Sequence, residues 1–388
     1  MLTFVFILIG VASAVANRAV DPLLTSVARD FMVPITTAAL LSSAYALPSA
    51  LGQPLLGPIG DHYGKTRVLR ICLWVMALAI TACVFAPALE SLLGLRFISG
   101  LAAGGVTPVA MAIIGDRVAP QHRQMAIARF LTASLTGQIF GASLAGILAD
   151  SFSWRGVFVL MAAPALLAAI GATLVFRETQ PSRAKERFQV SNAIESYRKV
   201  FGNPKSFYCF GGVFVESIAM FGVTPYIGEM LERNALGGPT QAGLVLGGIG
   251  IGGVTYGLTL KYILPHLART TMMQIGGLVS VLGLGSLGLG MPWGVTMVLF
   301  AVSGFGFMLM HNSIQTEVAD IAPDARASAF SMHAFSFFSG QAIGPVIFGF
   351  GLHTVGPSII VLNMAMLAAT GLVVGHLFKR AGTKLTTG

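Results

Sequence analysis

APQHRQMAIARFLTASLTGQIFGASLAG, residues 119–146, aligns without a gap to APDARASAFSMHAFSFFSGQAIGPVIFG, residues 322–349, at an offset of 203. The match holds eight identities in 28 positions. Among them are Ala119-Pro120-x-x-Arg123 over Ala322-Pro323-x-x-Arg326, and Gly137-Gln138-x-x-Gly141 over Gly340-Gln341-x-x-Gly344. The same offset sets Gly146 over Gly349 and Pro22 over Pro225. A repeat of half the chain length predicts two similar bundles around a shared axis, and a cavity between such halves is where a transport site belongs.

Composition says what surrounds those bundles. Of 388 residues, 55% are hydrophobic and only 10% charged, with mean hydropathy +0.79; soluble domains carry about 25% charged residues. Lipid is the expected solvent. Twelve apolar segments can be drawn, at 2–27, 36–59, 68–88, 91–114, 125–148 and 155–176, then 205–228, 240–260, 270–290, 293–316, 327–351 and 357–378. Each suffices for a bilayer, which about 20 helical residues cross. The short turn at Met291-Pro292 makes segments nine and ten a tight antiparallel pair. The first segment lacks a basic leader and is followed by further spans, so it reads as a membrane helix rather than a cleaved signal. Cys72, Cys83 and Cys209 lie in apolar stretches without metal-ligand spacing and read as core residues.

The formal charge of +9 would suit a nucleic-acid partner if it formed one stripe, but the basic residues gather in alternate loops. With both termini cytoplasmic, nineteen Lys and Arg fall on the inner side, including Lys65, Arg67, Arg117, Arg123 and Arg326; Arg29, Arg155 and Arg233 fall outside. That asymmetry orients the chain. The one long polar stretch divides it into a six-helix bundle at 1–176, a cytoplasmic linker at 177–204 and a second bundle with a short tail at 205–388. Within the linker, Ile194, Tyr197, Val200 and Phe201 have helical spacing beside Arg198 and Lys199, the pattern of a helix lying on a membrane surface.

The loop after the second segment reads Gly57-Pro-Ile-Gly-Asp61-His-Tyr-Gly64-Lys65-Thr-Arg67. Small residues let helix ends approach, Asp61 suits a helix N-terminus or an arginine, and Lys65 and Arg67 suit the anionic inner leaflet. On these residues the chain resembles the major facilitator superfamily, whose loop signature is G-x-x-x-D-x-x-G-x-[RK]-x-[RK]. Arg96-Phe-Ile-Ser-Gly100 in the fourth segment is similar to that family's R-x-x-x-G. The resemblance implies an all-α polytopic membrane protein, with 12 transmembrane helices in two pseudo-symmetric six-helix bundles. It also implies that Gly57, Asp61, Gly64, Lys65 and Arg67, with Arg123 and Arg326, take part in gating. Gly137-Gln-Ile-Phe-Gly141-Ala-Ser-Leu-Ala145-Gly146 resembles the antiporter motif G-x-x-x-G-P-x-x-G-G, with Ala142 and Ala145 in place of proline and glycine. The eleventh segment has the proline, Pro345. The 12-helix drug/proton antiporter branch is therefore the expected relative.

Ionisable groups at membrane depth are costly and mark function. Glu216 lies mid-segment with no basic neighbour within two turns, and suits proton coupling, cargo contact or structural pairing. Arg18 and Asp21 are i,i+3 and share a face beside Asn17; they either neutralise each other or receive an anionic cargo. Arg96 pairs at the surface with Glu90 or, by resemblance, couples to Asp21. Gln138 and Gln341 occupy equivalent positions, and Tyr45, His311, Asn312 and Gln315 add hydrogen-bonding groups to a substrate site. His333 reads as structural or as a titrating group.

No clustered nucleophile, metal set or phosphate-binding loop is visible, so a non-enzymatic carrier without cofactor or metal is expected. The leading expectation is proton-coupled efflux of a small amphipathic organic molecule by alternating access. It would be carried out by a functional monomer in a bacterial inner membrane, with lipids, substrate and protons as partners. A symporter or uniporter for an organic anion is the alternative, and a membrane sensor or scaffold a third.

Overall fold

The computed structural model describes residues 2–176 and 190–386. Among them twelve long apolar helices pack as two groups of six. In the first group are α1 (Leu2–Arg18, continued by Leu24–Asp30), α2 (Leu40–Tyr63), α3 (Lys65–Cys83), α4 (Leu89–Arg117), α5 (Pro120–Ser151) and α6 (Trp154–Val175). The second holds α7 (Lys205–Phe221, continued by Ile227–Arg233), α8 (Pro239–Ile263), α9 (Arg269–Gly288), α10 (Trp293–Ile321), α11 (Arg326–Val355) and α12 (Ile359–Thr386). The apolar stretch Arg326–Arg380 runs through both α11 and α12, which only the 3-10 turn Gly356–Ser358 separates. The chain is a multi-pass integral membrane protein.

Prolines set where the key helices stop. A helical residue donates to the carbonyl four positions earlier; Pro22 has no N–H for Arg18, and its ring clashes with that carbonyl. The first piece of α1 accordingly ends at Arg18, and a 3-10 turn at Asp21–Leu23 follows. Pro225 does the same to Phe221, with the turn at Thr224–Tyr226. The sequence pattern had suggested uninterrupted first and seventh segments; apolarity alone does not register these breaks. Both helix pieces and the turn between them repeat at 203 residues without slippage, and the left-handed residues that follow, Met32 (φ 53°) and Ala235 (φ 54°), do so too.

Each half buries its own apolar core, the first built around Ile9, Leu23, Ile80 and Phe158, the second around Met220, Phe300, Phe307 and Phe348. Across the division α5 packs on α8 and α2 on α11. These seams need small residues: a Cβ added to Gly146 would lie 2.3 Å from the carbonyl oxygen of Pro239, and one on Gly243 2.6 Å from that of Ala142. Hydrogen bonds reinforce them, from Thr240 to Asp150 (2.8 Å) and from Ser43 to the carbonyl of Ala342 (2.6 Å). Those contacts lie toward the end of the bundle remote from Leu2.

The linker positions 177–189, with Arg177, Arg183, Lys185 and Arg187, lie outside the described residues. After them a helix spans Val190–Phe201; Val200 is buried and Ile194 exposed. Its Glu195 carboxylate accepts from Lys199 at 2.9 Å, and that hydrogen bond holds it below its ordinary range.

Candidate substrate and proton sites

Arg18 and Phe221, left at the ends of their helices by the two prolines, face each other, with the guanidinium carbon 3.8 Å from the ring centroid. They are counterparts in the repeat. Asp21 faces its counterpart Thr224, Thr25 lies against Gly228, and Arg29 pairs with Glu232. Positions 18, 21, 25 and 29 form one stripe that faces α7 across the break in α1. In a two-fold arrangement only residues beside the axis can touch their own counterparts, so the pseudo-two-fold axis runs between α1 and α7.

A cavity opens beside this stripe. Its wall from the first half is Arg18, Asp21, Gln138 and Ala142; the second half contributes Phe221, Thr224, Leu246, Ile249, Gly250, Gly253 and Met308. Asp21 is buried, accepts a hydrogen bond from Ser42 Oγ at 2.7 Å and stands 3.8 Å from Arg18 Nη1. Polar groups on one wall and apolar ones on the other suit an amphipathic guest. Asn17 is half-buried one residue before Arg18.

Arg96 is not at the surface beside Glu90. It is completely buried, lies over the Tyr45 ring at 4.2 Å, and donates to the carbonyls of Ala16 (2.9 Å) and Leu41 (3.4 Å). Tyr45 is thereby covered, outside the cavity wall. Arg96 joins α1, α2 and α4 at the level where α1 breaks.

In the second half Glu216 is fully buried and its Oε1 is hydrogen-bonded to His311 Nδ1. His311 stacks on Phe307, and its ring centroid lies 5.0 Å from that of His333. Asn312, one residue on, reaches Met308 Sδ at 3.9 Å, and Gln315 is half-buried. Gln341 is buried with its amide nitrogen lacking a protein partner among the described residues. The Glu216 cluster and the Arg18–Asp21 cavity are thus two places, which sequence reasoning had joined as one site. Spacing could not reveal Phe307 and Phe337, because aromatic residues at helical spacing read as ordinary core.

At the other end of α2, Gly64 ends the helix at φ +98°, which favours glycine, and lets α3 start at once. Lys65 Nζ bonds Asp116 at 2.7 Å, tying that turn to α4. Arg67 and Arg326 are exposed; Gly57 lies in α2, and the side chains of Asp61 and Arg123 lie outside the described residues.

The family pattern of the Major Facilitator Superfamily matches residues 6–345, and again 209–387. The chain belongs to that superfamily. As a member it is a secondary transporter working by alternating access, a transport protein rather than an enzyme. It is 26% identical over 381 residues to the MFS-type transporter YwfA of Bacillus subtilis (strain 168), covering 95% of this chain and 91% of that one. To the chloramphenicol resistance protein CraA of Acinetobacter baumannii it is 29% identical over 203 residues, 52% of this chain and 49% of that one. In fold it is similar to a mutant of the nucleoside transporter NupG, with TM-score 0.77 at 14% identity over 98% of this transporter and 99% of that chain. It is also similar to a D-xylose–proton symporter, with TM-score 0.71 at 17% identity over 96% and 95%.

Proposed function

We propose that this transporter exports a small amphipathic organic molecule in exchange for protons, as a 12-helix drug/proton antiporter would. The observation that carries the reading is the cavity on the pseudo-two-fold axis, whose polar wall (Arg18, Asp21, Gln138) faces an apolar one (Phe221, Leu246, Ile249, Met308). A guest with a hydrogen-bonding end and an apolar body satisfies both walls. Asp21, Arg96 and Glu216 are the buried charged groups through which proton coupling would act. The partial likeness to CraA supports a drug-sized cargo.

The same reading divides the chain at 1–176, 177–204 and 205–388, and places a monomer in a bacterial inner membrane with both termini cytoplasmic. With that orientation the joined seams close the outer side, and the conformation faces inward. Asp61, Lys65, Arg67, Arg123 and Arg326 then border the inner gate. Arg18 in the cavity wall favours a second reading, symport or uniport of an organic anion.

Chloramphenicol flux in proteoliposomes under an imposed pH gradient tests the proposal. Chloramphenicol and protons moving in opposite directions, with a large loss in D21N, is the expected result. Movement in the same direction selects symport; flux indifferent to the gradient removes proton coupling.

A further inference from the structure

The Glu216 cluster has no equivalent in the first half. At an offset of 203, Glu216, His311 and His333 correspond to Ser13, Pro108 and Phe130, none of which titrates. Three ionisable groups, from three different helices, therefore distinguish the second copy from the first. Two of their atoms, Glu216 Oε2 and His333 Nε2, are buried without a protein partner among the described residues. A structural pair would be expected to satisfy both ends of its network; a site that takes up and gives up a proton leaves one free.

We propose that Glu216, His311 and His333 form one buried proton-holding site in the second half, separate from the cargo cavity, whose occupancy acts on the cavity through Phe221, Phe307 and Phe337. The inference rests on the proton-coupled reading above.

Charge counting gives its capacity. With no added proton the three groups carry one negative charge. One proton makes the set neutral, whether it sits on Glu216 or on His311, and a second makes it positive. Burial favours the neutral set. A further proton would leave a buried positive charge, either one imidazolium beside a neutral carboxylic acid or two imidazoliums, with ring centroids 5.0 Å apart, beside the carboxylate, and burial opposes both. The site therefore holds one proton. No other charged group among the described residues relieves this: α12 offers Asn363, which donates to the carbonyl of Ala219, and across the division Arg18 is held over Phe221.

The route to the cavity is continuous packing. His311 stacks on Phe307 with centroids 5.4 Å apart and lies 5.0 Å from Phe337. Both rings meet Phe221, at 5.4 Å and 5.6 Å. Phe221 is the cavity residue beneath Arg18. Ser217, the neighbour of Glu216, donates to the carbonyl of Phe337 at 2.7 Å, fastening α11 to α7 at this level. A close-packed set of rings cannot absorb a turn of His311 without moving a neighbour. Contact supplies the route; coupling is what must be measured.

The test uses protons as the only ligand. Infrared difference spectra of the full chain in proteoliposomes are recorded across a pH step from about 8 to about 6. Spin labels at F152C and N234C report the distance between the halves at the seam end, since both positions are exposed. The wild type should show one carboxylic-acid band that titrates, absent in E216Q. H333F, which installs the first half's residue, should shift the band's midpoint by about one pH unit or more. F221A should keep the band while the label distance no longer responds to pH. A titrating band retained in E216Q, an unmoved midpoint in H333F, or an unaltered distance response in F221A overturns the proposal. H333F keeps the test decisive if E216Q does not fold. A Glu216 band without pH-driven chloramphenicol flux would sink the export reading and leave this site standing; pH-driven flux without the band would do the reverse.

Discussion

Arg96 in the first half and Glu216 in the second are both fully buried charges on membrane helices, and they are handled in opposite ways. Arg96 is spread over a tyrosine face and two backbone carbonyls, with its Nη2 left over. Among the described residues Glu216 has one imidazole partner, His311, with a second histidine behind it. Their counterparts are Leu299 and Ser13, so neither charge belongs to the repeated frame. The two copies share the bundle, its breaks and its axis, while the buried charges differ between them. In the proposed division of labour the first half presents a polar face to cargo, and the second stores a group that can change charge.

That contrast can be broken from the second half most strongly. E216Q should lower pH-gradient-driven chloramphenicol flux about tenfold or more, equivalent to ~1.4 kcal/mol on the driven step. Exchange at equal pH should stay within about twofold, because the Gln mimics the neutral set. A variant that loses both equally would mean that Glu216 supports the fold rather than the coupling.

On the first half, R96L installs the residue found across the repeat. It strips the carbonyls of Ala16 and Leu41 of their donor, a loss of about 1–3 kcal/mol for a buried acceptor. Thermal unfolding in detergent should shift down and transport should stop. R96K keeps the charge without the planar fork and should impair transport well beyond its effect on unfolding; normal turnover in a folded R96K would remove Arg96 from coupling.

Much of the frame was legible in residues alone. The 203-residue offset foresaw two bundles, and Pro22 over Pro225 marked the place where both axial helices break. Hydropathy averaged over a whole span could not see the breaks themselves, because the first and seventh segments stay apolar enough overall to read as intact. The cavity was partly legible too: Arg18, Asp21 and Gln138 stand out as polar residues in apolar segments. Phe221, Leu246 and Met308 do not, since an apolar residue in a membrane helix carries no mark of facing a cavity. The distance between Glu216 and His311 in sequence hid their bond, and only tertiary packing shows that this pair lies outside the wall of the Arg18–Asp21 cavity.

Smaller changes sharpen the symmetry. G146V should wedge the α5–α8 seam, where even a Cβ meets the Pro239 carbonyl oxygen. The F152C–N234C label distance should widen, while unchanged distances would show the seam to be pliable. R29E should loosen the axial pair and R29E/E232R should restore it. Arg29 is mostly exposed, so the effect should be about 0.2–1 kcal/mol, read as a modest redistribution of label distances that high salt erases.

The most direct trial of the central claim is proton release on chloramphenicol binding, followed with a pH indicator in weakly buffered detergent solution. The account predicts about one proton released per wild-type molecule and none from E216Q at matched chloramphenicol occupancy. Equal release from E216Q, or release that vanishes only in D21N, would place the proton in the cargo cavity and contradict the division of labour between the halves.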